Sequence, residues 1–169
     1  MKQFSNSKKN RFLNTRSQSS VETSAIAQRC KFNFSYFDAD QAAGQDFTDW
    51  GADSGICSLA TLLDKIKSYT KEPLSYWRNQ RVGGGGLSVF EDYRHFPNQS
   101  DFSHPPHVPH DVIWSRFRLG NKVRLVGFIL PQSLANRPSS ENDKFSYDTN
   151  TFYVVFLDKD HRFYRSEQD

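Results

Sequence analysis

Three apolar segments near the C-terminus constrain the fold most: VIWSRFRL at 112–119, KVRLVGFIL at 122–130 and TFYVVFL at 151–157. They are short and rich in β-branched and aromatic side chains, which suit a pleated, buried surface better than a helix. Gly120 and Asn121 supply a two-residue connection between the first two, which are therefore expected to pair as a hairpin. The intervening segment 131–150 reads as a polar loop, and a last short strand is expected over 162–165, after the turn at 158–160.

Upstream the period changes. Ser58 is followed by Leu59, Leu62, Leu63, Ile66 and Tyr69, a stripe at helical spacing with Lys65 and Lys67 outside it. Pro73 can open a second helix, with Leu74 and Trp77 inward and Arg78 and Arg81 outward. The two make a helical hairpin, ended by the four glycines at 83–86, whose backbone freedom opposes helix and whose lack of a following Lys-Ser/Thr pair opposes a P-loop. KFNFSYF at 31–37 alternates like a half-buried strand, whereas 38–56 reads as loop with at most one irregular turn, anchored by Phe47 and Trp50. Residues 87–93 fit a helix turn or a short strand, and 96–111 a long Pro- and His-containing connection.

The expected organisation is one α+β domain over 30–169, a helical hairpin packed on an antiparallel β-sheet, preceded by a flexible basic tail over 1–29. That tail holds six cations against Glu22 alone, so it carries +5 of a chain whose formal net charge is +3. It either strengthens attraction to RNA or ribosomes or is a solvated extension. The weakly acidic remainder is unlike a generic nucleic-acid-coating protein, so any such chemistry must come from a local cation cluster. No apolar run reaches the roughly 20 residues of a membrane helix, and the first thirty residues lack an apolar export signal, so a cytoplasmic protein without membrane contact is expected. Cys30 and Cys57 are too few for a disulfide framework and do not form a CxxC pair.

Period two puts Trp114, Arg116 and Arg118 on one strand face, with Phe117 and Leu119 toward the core. A two-residue turn would make Arg118 and Arg124 near-diagonal neighbours, and the true register decides whether they share a face. Guanidiniums brought together without acids would make a phosphate site; otherwise both are solvated strand residues. DKDHRFY at 158–164 adds His161, Arg162 and Tyr164, followed by Arg165. A base, an acid and fixed cations are what RNA cleavage by a ribose 2′-hydroxyl requires, and that reaction needs no metal or cofactor. His161 is otherwise a turn residue bonded to Asp158 or Asp160. In HPPHVPH, polyproline II geometry would space His104, His107 and His110 about 9 Å apart, too far for one shared metal. That segment is a plain connection, a rigid loop that stacks bases or supplies one acid-base histidine with His107 as the RNA contact, or, if bending brings two histidines to Asp101 or Asp111, a zinc site.

A helical hairpin followed by strands ending RFRL, reading KVRLVGFIL and FYVVFL, and closing on HRFY resembles the RelE/ParE toxin superfamily. The resemblance implies a small RelE-like fold with a curved antiparallel sheet, endoribonuclease (hydrolase) activity on mRNA at the ribosome, and restraint by an antitoxin protein. It also implies site roles: Arg118 and Arg124 stabilise phosphate, His161 and Tyr164 provide the acid and base, and Arg162 contacts RNA. Apart from the resemblance, Arg116 and Arg165 are expected as further RNA contacts. ParE-like relatives share the fold without ribonuclease activity. A non-catalytic RNA- or protein-binding module using the same basic face is the alternative.

Overall fold

A computed structural model describes residues 7, 8, 11, 20–84, 86–140 and 144–165. Most of the basic tail lies outside these residues. The elements are β1 (Lys31–Asn33), α1 (Phe47–Ala52), α2 (Leu59–Tyr69), α3 (Leu74–Asn79), β2 (Arg81–Val82), β3 (Leu87–Ser88), β4 (Phe90–Arg94), β5 (Ile113–Arg118), β6 (Arg124–Ile129) and β7 (Thr151–Asp158). Five strands form one mixed, mostly antiparallel sheet in the order β1-β7-β6-β5-β4, with β1 parallel to β7, while β2 and β3 make a separate small hairpin. The protein is therefore α+β, and no described helix is long and apolar enough to cross a membrane.

Both faces of the sheet are covered, and every residue of β6 is buried. Leu62, Tyr69 and Leu74 from the helices share one core with Phe90, Phe117, Leu125 and Phe152. The period-two reading placed Phe117 and Leu119 there. Ser58 caps α2, its Oγ accepting from Thr61 N at 3.2 Å, and Pro73 precedes α3, where its missing N–H costs nothing. The second face carries Trp114, Val126, Phe128 and Phe156, and it is covered by irregular chain: Phe102, Val108 and Phe163. The 96–111 connection is thus a lid on a second core. The rings of Trp114, Phe96, Phe102, Phe156 and Phe163 pack together there at centroid distances of 4.5–6.1 Å.

Several elements differ from expectation. β1 stops at Asn33, and 34–37 turn back through Phe37 N to Phe34 O. Segment 38–56 contains α1, because Asp46 and Asp49 cap each other's backbone N–H in a reciprocal box. The β5–β6 turn has three residues, 120–122, inside the bond from Leu119 N to Val123 O at 3.0 Å, and this sets Arg118 directly opposite Arg124. No strand forms over 162–165. The Asp158 carboxylate instead accepts from the backbone N–H of Asp160, Arg162 and Phe163, with His161 in the left-handed region at φ 62°. The prolines at 105 and 106 do not extend the loop, which turns through Val108 N to Pro105 O and stacks His104 on His110 at 4.5 Å.

Candidate nucleic-acid interface

Arg116 and Arg118 lie two residues apart on β5 and so share the second face, and Arg124 of β6 sits across from Arg118. On β4, the residue opposite Arg116 is Glu91, and Tyr93 falls on the same face two positions on. Three guanidiniums thus meet at one end of the sheet. Glu91 forms an ion pair with Arg116, which also donates to Tyr93 Oη at 3.0 Å and to Ser88 O at 3.1 Å. On the other side, Asp158 stands opposite Arg124, but its oxygens are taken by the three backbone N–H groups of the C-terminal turn.

The remaining arginine bonds go to the β5–β6 turn. Arg124 Nη1 faces the carbonyls of Gly120, Asn121 and Val123 at 3.0, 2.7 and 2.9 Å, and Arg118 Nη1 donates to Asn121 O at 2.9 Å. Arg124 is buried and its Nε has no partner. Burial, with Arg116 and Arg118 nearby, pulls the Arg124 guanidinium down to about 10, which still leaves it charged at neutral pH. Burial and then Arg116 shift Arg118 down as well, but it is only half-buried, so it is the guanidinium best placed to meet a ligand. Among the described residues, Nη2 of neither Arg118 nor Arg124 donates a hydrogen bond. Tyr69 of α2 fixes this end from the opposite face, its hydroxyl donating to Arg118 O at 2.6 Å.

Tyr164 joins the cluster through Tyr93, the two rings lying parallel at 5.1 Å. The other expected site residues lie elsewhere. His161 lines a groove of about 220 Å³ with Asp101, Lys122, Asp160, Arg162 and Arg165. Lys122 belongs to the β5–β6 turn, so the groove borders the arginine cluster without opening into it. Asp101 accepts from Arg162 Nε at 2.8 Å and from Arg165 Nη1 at 3.2 Å. His107 packs on Tyr36, which meets Phe128, four residues and roughly 13 Å along β6 from Arg124. It belongs to the other end of the sheet.

Glu91, Tyr93 and Asp158 are the site residues that sequence reasoning missed. The alternation in FEDYR would have put Glu91 and Tyr93 on one face had β4 been assigned as a strand. Asp158 carries no such signal, because its role depends on the path of the chain after it. Among the described residues, no three His, Cys, Asp or Glu side chains come together as a metal site. What the cluster offers is fixed positive charge beside an exposed ring, an arrangement suited to a phosphate ester bearing a planar group. Comparison with protein families, curated proteins and solved structures finds no match to this chain.

Proposed function

We propose that the arginine face of β5 and β6 binds the phosphate backbone of RNA and that the protein is a RelE-like, toxin-type endoribonuclease acting on mRNA in the cytoplasm, at the ribosome and under the control of an antitoxin. The observation that carries this reading is the meeting of Arg116, Arg118 and Arg124 on one face, where, among the described residues, Glu91 is the only acid in an ion pair with any of the three. In the proposed reaction a ribose 2′-oxygen attacks the adjacent phosphorus, the bond to the 5′-oxygen breaks, and a 2′,3′-cyclic phosphate and a 5′-hydroxyl result. Arg118 and Arg124 stabilise the charge that builds on the phosphoryl oxygens, and His161 and Tyr164 are the candidate proton carriers.

A second reading, RNA binding without cleavage, is favoured by a specific observation: His161 lines a neighbouring groove, while the buried Arg116 and Arg124 are bonded within the protein. One assay separates the two. End-labelled RNA incubated with the full chain, with and without ribosomes, should yield cyclic-phosphate ends, and Arg118→Ala should slow their appearance by about 100- to 1,000-fold, the scale of one lost transition-state donor. RNA that is bound but stays intact would establish the second reading, and RNA that is not bound at all would end both.

A further inference from the structure

We infer that Tyr164 is a stacking platform for one unpaired base, so that the site selects single-stranded RNA; this deepens the RNA reading and rests on it. Tyr164 is 44% exposed, and Tyr93 is the only ring against it among the described residues. The two rings are 8° from parallel, so Tyr164 continues a stack whose inner member is locked. Tyr93 accepts from Arg116 Nε at 3.0 Å, which ties the stack directly to the arginine cluster. A base laid on Tyr164 would therefore lie beside the cations that take its phosphate.

The platform is held although its ring is exposed. On one side the Asp158 carboxylate accepts from Arg162 N and Phe163 N, each at 3.0 Å, and on the other Arg165 N donates to Gln99 O at 3.1 Å. Phe163, next in the chain, is buried among Tyr93, Phe96, Trp114 and Phe156. A ring fixed in this way loses little freedom when a ligand stacks on it, which is what a binding surface requires. Every base has a π-face, so such a platform tolerates sequence, but an A-form duplex keeps its bases stacked inside and has none to give. By this assignment Tyr164 contributes to RNA affinity through its ring, and its hydroxyl is not needed for binding.

The test measures affinity of the full chain for three probes: a short fluorescein-labelled single-stranded RNA, the same strand annealed to its complement, and the same strand with abasic positions. Tyr164→Ala should weaken binding of the intact single strand by about 5- to 150-fold, and Tyr164→Phe by no more than about twofold. The abasic strand should bind the wild type as weakly as the intact strand binds Tyr164→Ala, with no further loss in that variant. If Tyr164→Phe falls as far as Tyr164→Ala, the hydroxyl is the active group and the platform is refuted. Equal losses on duplex, abasic and intact RNA would also refute it. Arg118→Ala, run alongside, separates the two levels: loss there with none in Tyr164→Ala keeps the phosphate reading and removes the platform. A wild type that binds none of the probes removes both.

Discussion

Replacing Arg124 by alanine tests whether this guanidinium is a structural element as well as a ligand group. A solvated strand arginine could be removed at little thermal cost, but Arg124 is 4% exposed and holds the β5–β6 turn. Its Nη1 faces three carbonyls but carries only two hydrogens, so two charge-assisted bonds are at stake, about 1.5–3 kcal/mol each. Against this, the substitution removes an Nε that is buried without a partner, worth about 1–3 kcal/mol, and relieves repulsion from Arg116 and Arg118. The balance is a destabilisation of about 1–3 kcal/mol, or a fall in thermal midpoint of roughly 2–12 °C for a chain of this size. Arg118 has one bond at 2.9 Å and two at 3.4–3.5 Å, and its alanine variant should cost less than about 1 kcal/mol. Circular-dichroism melts of wild type and both variants in one buffer decide the point. An Arg124→Ala midpoint equal to wild type, or an Arg118→Ala midpoint below that of Arg124→Ala, would refute the reasoning. It also follows that RNA binding by Arg124→Ala must be measured well below its own midpoint, whereas Arg118→Ala reports on the ligand without that correction.

Gly127 sits at the β6–β7 bulge, where an added Cβ would lie 2.0 Å from the Tyr153 carbonyl oxygen. A backbone oxygen cannot rotate aside, so Gly127→Ala should cost about 3 kcal/mol or more, while Gly51→Ala, with nothing within 4 Å, should be neutral or slightly stabilising in the same melts. His104 is held below the usual histidine range by burial and then by His110, with Nδ1 on Pro105 O and Nε2 buried without a partner. The folded state therefore takes up protons less readily than the unfolded one, so this contribution to stability is complete above about pH 6.5 and is lost as the pH falls through the lower folded value. The midpoint of the wild type should drop between about pH 6.5 and 5 more steeply than that of His104→Gln, and parallel curves would show that His104 is not the titrating group.

Much of the scaffold was legible because it follows from local periods. The Leu59–Tyr69 stripe, the cap at Ser58 and the three C-terminal apolar runs state their element types, and alternation alone put Arg116 and Arg118 on one face. The turn between β5 and β6 was misread by one residue. Gly120-Asn121 suits a two-residue hairpin, but Lys122 joins the loop, and Arg118 and Arg124 face each other across a rung instead of diagonally. The segment at 162–165 was misread for a different reason. Its aromatic and β-compatible residues fit a strand, yet the buried Asp158 carboxylate draws three backbone N–H groups around itself, and a tertiary contact overrides local preference. Likewise nothing in 96–111 announces a lid, because its apolar positions follow no period and are defined only by the core they cover.

The path taken after β7 also explains why Asp158 makes no hydrogen-bonded ion pair with Arg124. Arg118, Arg124 and Asp158 are neighbours on one rung across β5, β6 and β7, a placement in which a carboxylate would ordinarily pair with the guanidinium beside it. Here both Asp158 oxygens are turned to the backbone of 160–163, and no ion pair to Arg124 forms. Burial raises the Asp158 carboxyl, and the N–H groups of Arg162, Phe163 and Asp160 oppose the rise, so the C-terminal turn favours the carboxylate form there. The same turn sets Phe163 into the second core and presents Tyr164 beside Tyr93. One buried acid thus does two things at once: it spends its hydrogen bonds on the backbone instead of on Arg124, and it fixes the exposed ring next to the arginines. A chain that continued as a strand through 165 would have needed neither contact, and Asp158 would have been available to Arg124.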